Sequence, residues 1–383
     1  MQNIFANYEL IKLGTTNVHW TNFLVIAVVF IACAFTLRKG GNTQLLDKNQ
    51  TDQLKGIAIL LVIIGHFWIH VSTERCNLIF DESVALFFLL SGFGLTASKG
   101  SRGIGFRRYV VQRIKRVMAP YWVATAIILF LDFLILNRVY PIGDILLTTL
   151  GINVTPSTKH LDYARWYITL LLFWYAVFPV IIYFLRVKRG LLYVAIFSTA
   201  TILVDYYIVH FDWYQILAFP FGCILGIYYE TAKRLFINHA RYWFYLSILS
   251  LVFLCAYKIT LDPYVITLFP SLVVRFVDEI ESILFSGAFI LIVASIGYRG
   301  YYSRLLLFAG SISYELFLLH GIFLIKYNPV ISGNTAFALI PQFILFLSLI
   351  MIIAFLFQKS VKVISEPLNY LDNAKAYTYD NKS

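Results

Sequence analysis

The sequence predicts an all-α, polytopic transmembrane helix bundle of about ten core helices plus one N-terminal helix. Three observations predict it. Of 383 residues, 60% are hydrophobic and only 13% charged, whereas ordinary soluble domains average about 25% charged. The mean hydropathy is +0.76. The apolar residues form runs of roughly 17–25 residues, not the alternating segments of a membrane barrel, so helices must satisfy the backbone within lipid.

The runs fall near 20–37, 54–71, 82–98, 120–137, 166–185, 191–209, 212–229, 242–260, 280–297, 304–326 and 338–358. The first is the least integrated. The residues before it lack a basic n-region and a small-residue cleavage site, so it is expected to stay as a helix. Trp20, Tyr121, Trp122, Trp166, Trp213 and Trp243 lie at run boundaries, as interfacial anchors do.

Loop charge sets the expected orientation. Arg38, Lys39 and Lys48 are followed by Lys99, Arg102, Arg107, Arg108, Arg113, Lys115 and Arg116, then by Arg186, Lys188 and Arg189. Lys233, Arg234 and Arg241, and then Arg299 and Arg304, complete the series. These basic connections occupy every second loop, and the loops between them are acidic or mixed. The positive-inside rule therefore puts the N-terminus outside and the C-terminus in the cytoplasm of a plasma or inner membrane. The net charge of +11 then reflects basic loops facing membrane lipids, not nucleic acid. Cys33, Cys76, Cys223 and Cys255 are scattered, which indicates neither a disulfide framework nor a cysteine metal site. Residues 1–53 read as the extra helix and its linker, 54–371 as one membrane domain and 372–383 as a cytoplasmic tail.

The stretch LKGIAILLVIIGH, Leu54–His66, carries the first chemistry. Lys55 flanks the cytoplasmic end, and His66 lies about 16 Å further along a helix axis, near mid-membrane. An intramembrane ionisable residue is a functional-site candidate by default; the competing reading is a histidine that only hydrogen-bonds a neighbouring helix. In FRRYVVQRIKRVMAPYW, Phe106–Trp122, Arg113 and Arg116 share one face if the stretch is helical, before an expected break or kink at Pro120. Paired guanidinium groups suit a phosphate-bearing ligand, although a basic loop facing anionic lipid has the same composition.

In SISYELFLLH, Ser311–His320, Tyr314, Glu315 and His320 interrupt another apolar run. Counted along a straight helix from Arg304, Glu315 is about 16 Å deep and His320 about 24 Å deep. Glu315 would therefore share the depth of His66 and orient it or act with it in acid/base chemistry, unless it caps another buried donor. Asp132, Asp205, Arg165, Trp166, Tyr167, His210 and Asp212 are expected near the outer surface, as a vestibule for a polar acceptor or as ordinary interfacial residues.

Together these segments resemble the acyltransferase 3 family of polytopic membrane acyltransferases, from about Gln53 to Leu371. Four signatures agree in order: Lys55 and His66 separated by ten residues; FFLLSGF at Phe87–Phe93; Arg113 and Arg116 followed by Pro120 and Tyr121; and SYELFLLH ending at His320. WYI at Trp166–Ile168 and the Glu366–Pro367 pair are weaker echoes. Lys55 stands where the family usually has arginine, and Phe317 stands where it usually has tyrosine.

The resemblance implies acyl-CoA, usually acetyl-CoA, as a cytoplasmic donor, with no metal. The implied acceptor is a hydroxyl of a surface glycan or its lipid-linked sugar precursor. It also implies His66 as the catalytic histidine and Arg113 and Arg116 as contacts to the CoA phosphates, assisted by Lys55. Trp166, Tyr167, Tyr314 and His320 would line the site. His66 would act as a general base or carry the acyl group covalently. The rival reading is a transporter or flippase with a His/Glu proton relay, against which stand the absence of an inverted repeat and of paired broken helices.

Overall fold

Asp47 opens a largely buried helix of the bundle, its carboxylate accepting from the Gln50 N–H 2.9 Å away as an N-cap. In this computed structural model the described residues are 13–41, 44–74, 76–78, 80–99, 106–155, 161–211, 213–328 and 330–380, with side chains at 81, 99, 106–108 and 364–380 outside the description. Arg102 and Asp212, and the side chains of Lys99, Arg107, Arg108, Glu366 and Pro367, thus lie outside the described residues.

In chain order the helices are α1 (Val18–Phe35), α2 (Lys48–His66), α3 (Val84–Lys99), α4 (Phe106–Arg113), α5 (Ala119–Leu136) and α6 (Ile142–Thr149). They continue as α7 (Trp166–Arg186), α8 (Gly190–Val204), α9 (Ala218–Ile227), α10 (Tyr229–Thr260), α11 (Asp262–Leu268) and α12 (Ser271–Tyr298). The last three are α13 (Arg304–Ser311), α14 (Ser313–Gly321) and α15 (Ala336–Asp380). A two-stranded antiparallel ribbon pairs β1 (Leu37–Lys39) with β2 (Tyr301–Ser303). Among the described residues, eight helical segments are long and apolar enough to cross a membrane, one bent pair adds a ninth, and two shorter apolar helices complete the set. Each of the eleven apolar runs in the sequence has a counterpart here, and the chain is an all-α, multi-pass membrane protein.

Close backbone approach fixes the middle of the bundle. A Cβ at Gly56 would collide with the Leu306 carbonyl, and one at Gly310 with the Asp52 carbonyl, so α2 and α13 touch through reciprocal glycines. Gly92 and Gly222 do the same for α3 and α9.

Two expectations are corrected. The run 304–326 is not one straight helix: α13 and the segment beginning with α14 meet at Ile312 with a bend of 70°. Gly310, Ser311 and Ser313 flank that bend, and Gly/Ser pairs are a recognised cause of kinks. Lys233, Arg234 and Arg241, expected in a loop, lie on α10, which is kinked at His239. At Pro120, the site of the expected break or kink, a new α-helix begins with the proline in its first turn. Its missing N–H and bulky ring are accommodated by a π-helical turn, Ile114–Met118, that joins α4 to α5.

Candidate active site

The bend at Ile312 builds a polar cavity of about 460 Å³ against the start of α2. Lys55, Arg113 and Arg116 line it, with Ser313, Tyr314 and Glu315 from α14 and Gln358 from α15. Tyr167, Leu171 and Tyr175, spaced four apart, present one face of α7 to it. Arg113 lies 5.5 Å from the centre of the Tyr175 ring and 6.0 Å from that of Tyr109. The Tyr109 hydroxyl donates to the Tyr175 carbonyl at 2.9 Å, which holds that stack in place. Tyr314 donates to the Val117 carbonyl at 2.8 Å, tying α14 to the arginine-bearing turn.

The cations differ in how they are engaged. Lys55 pairs with Asp52 at 3.0 Å, at the cavity rim. Neither Arg113 nor Arg116 has an ion-pair partner among the described residues, and the Arg113 Nε is buried without a hydrogen bond. Guanidinium groups facing an open cavity in this way are arranged to receive anionic oxygens.

Three aromatic rings form the inner wall of the cavity. Tyr167 and Phe317 are 4.7 Å apart, and Phe87 lies 6.2 Å from Tyr167 and 6.4 Å from Phe317. Beyond this wall Phe317 reaches His320 at 5.7 Å between ring centres. His320 Nε2 lies 2.9 Å from His66 Nδ1, with the rings stacked 4.9 Å apart. His66 is 8% exposed and His320 fully buried.

The straight-helix depth of Glu315 is therefore corrected. The residue that shares the level of His66 is His320, because the bend at Ile312 resets the count from Arg304. Glu315 sits five residues earlier, about 7.5 Å along the helix, and its carboxylate accepts from Gln358 at 3.2 Å. Lys55, Arg113, Arg116, Tyr167, Tyr314 and Glu315 are thus brought to one cavity, and His66 and His320 to a pair just beyond it.

On the far side of the histidine pair the helices loosen. π-helical turns follow His66 directly (Phe67–Val71) and Gly321 directly (Ile322–Lys326), a geometry frequent at functional sites. The first brings His70 to 5.4 Å from His66, and Tyr163 stacks on His70 at 4.6 Å. Trp166 lies beside them in sequence and packs on Phe88 and Tyr214, each at 6.4 Å. A Cβ at Gly321 would strike the Asp162 carboxylate, so this loop residue lies directly over the His320 end of α14. Burial raises the Asp162 carboxyl, and the Arg165 guanidinium beside it acts in the opposite direction.

The expected vestibule is not assembled as one surface. Asp132 is fully buried and bonded to Lys326, Tyr140 and Tyr327. Asp205 is taken up by the Phe211 and Trp213 N–H groups and by Arg275. Arg165 is enclosed against Tyr121, Thr125 and Thr148, and Tyr167 faces the basic cavity instead. His70, Tyr163, Asp162 and Lys326 did not stand out in the sequence. His70 carried one usable signal, its position four residues after His66 in the same apolar run.

Residues 49–359 match the model of an acyltransferase domain, Acyl_transf_3. No curated protein and no solved structure gives a significant match. The match spans most of the chain and includes the basic cavity and the histidine pair, so this multi-pass membrane protein belongs to the acyltransferase 3 family.

Proposed function

We propose that the protein moves an acetyl or other short acyl group from acyl-CoA to a hydroxyl of a cell-surface polysaccharide or its lipid-linked precursor. The observation that carries this reading is the adjacency of two dissimilar environments. A cavity with two arginines that lack ion-pair partners among the described residues is separated by a wall of three rings from a buried histidine pair. Arginine forks match the phosphates of CoA, and the loop-charge pattern favours a cytoplasmic position for this cavity. The acyl thioester then extends past Phe317 and Tyr167 toward His66, while the acceptor enters from the His70 and Tyr163 side.

In the transfer, His66 takes the proton of the acceptor hydroxyl as its oxygen attacks the thioester carbonyl carbon. The carbon–sulfur bond breaks, and the thiolate receives the proton back from the imidazolium, giving an ester and free CoA thiol. General-base assistance of this kind is worth about 10²–10⁴ in rate.

The test is mass spectrometry of surface polysaccharide from cells carrying the wild-type protein or His66→Ala. Loss of acyl esters by at least about a hundredfold, with unchanged protein in the membrane, is expected. Persistent acylation together with failed glycan export would instead identify a transporter.

A further inference from the structure

The histidine pair contains enough hydrogen-bond geometry to assign protons. His320 Nδ1 lies 3.0 Å from the Leu316 carbonyl oxygen and 3.0 Å from that of Phe317. Carbonyl oxygens only accept, so a bare nitrogen there would set lone pair against lone pair; Nδ1 carries the hydrogen. The ring is fully buried, and among the described residues no carboxylate hydrogen-bonds to it or to His66. An unpaired charge in such surroundings is costly, so the ring is neutral and its Nε2 is bare. His66 Nδ1, 2.9 Å away, must then be the donor.

We infer that His320 is a positioning residue that holds His66 as the Nδ1–H tautomer, leaving His66 Nε2 as the basic atom. The tautomer follows from the contacts alone, while the use of Nε2 on an acceptor hydroxyl rests on the acyl-transfer reading above. Among the described residues nothing hydrogen-bonds to His66 Nε2. When Nε2 gains the hydroxyl proton, the imidazolium keeps its Nδ1–H directed at the His320 lone pair. A neutral imidazole thus does what a carboxylate does in a Ser-His-Asp triad: it fixes tautomer and orientation. It does so without placing a second charge in an apolar interior. Helix α14 supplies the fixed point, because the carbonyls that lock His320 belong to its own preceding turn.

The experiment is ¹⁵N NMR of the full-length, ¹⁵N-histidine-labelled protein in lipid nanodiscs, with His66 assigned by difference against His66→Gln. Expected are a protonated Nδ1 and an unprotonated Nε2 on His66 in the wild-type protein. His320→Gln offers a carboxamide oxygen to the same donor and is expected to retain acyl transfer within about tenfold, whereas His320→Leu loses about a hundredfold or more. A protonated, non-basic Nε2 in the wild-type protein overturns the assignment, whether or not the variants fold. Equal rates in the Gln and Leu variants, both accumulating normally in the membrane, overturn the positioning role. Should the wild-type tautomer be as stated while no acyl-CoA is turned over, the assignment stands and the acyl-transfer reading falls.

Discussion

The cations at the two ends of the site, half-buried Arg113 and exposed Arg116 at one and buried Lys326 at the other, are handled in opposite ways. At the cavity end, Arg113 and Arg116 face open space without a carboxylate partner among the described residues. About eleven residues along the chain from Glu315, Lys326 is bonded to Asp132 at 2.6 Å and to the Leu161 carbonyl at 2.9 Å, with Tyr140 and Tyr327 closing around the same carboxylate. The second group is complete in itself and has no capacity left for a ligand. The first is incomplete, and an anion from outside would complete it. A charge held in apolar surroundings therefore identifies a functional centre only when its hydrogen-bonding capacity is left open; when that capacity is filled, it is structure.

The sharpest way to break this comparison is to unpair the filled group. Lys326→Met leaves Asp132 charged and buried without its cation, a change that costs about 3–5 kcal/mol. The expected result is loss of folded protein from the membrane, read by detergent-extracted thermal stability; a stable variant would mean that Lys326 is not structural. At the open group the effect should fall on binding instead. Arg113→Ala or Arg116→Ala each removes a charge-assisted contact worth about 1.5–3 kcal/mol, or about 10–150-fold in KM for acyl-CoA. Thermal stability is expected to change little, and Arg116→Lys should recover only part of the loss because the bidentate fork is gone. Equal losses of stability at both ends would erase the distinction. The smallest effect is expected at Lys55, whose side chain is 37% exposed and already paired with Asp52. Lys55→Ala should alter KM by no more than about fivefold, within the range of an exposed ion pair.

Much of the site was readable in advance because it depends on spacing within single helices. Lys55 and His66 lie on one uninterrupted helix, so their separation of about 16 Å follows from rise per residue alone. Arg113 and Arg116, expected on one face from their spacing of three, both line the cavity although Arg116 lies in a π-helical turn. Glu315 was misjudged for the complementary reason: its depth depended on Ile312 being helical, and there the axis turns by 70°. The letters GSIS at 310–313 carried that signal. Lys326 does not stand out in the sequence and Asp132 is expected near the outer surface, since nothing in either run names a partner almost two hundred residues away.

By itself, then, the sequence determined the solvent. Its long apolar runs require helices in lipid, and its intramembrane His66, Glu315 and His320 require a reason to be there. Only the tertiary structure decided which of these residues meet. Contacts between helices depend on where small residues allow backbones to touch, as at Gly56 and Gly310, and on where an axis bends. Those two facts swing α14 against α2 and give His66 a histidine, not a carboxylate, as its partner.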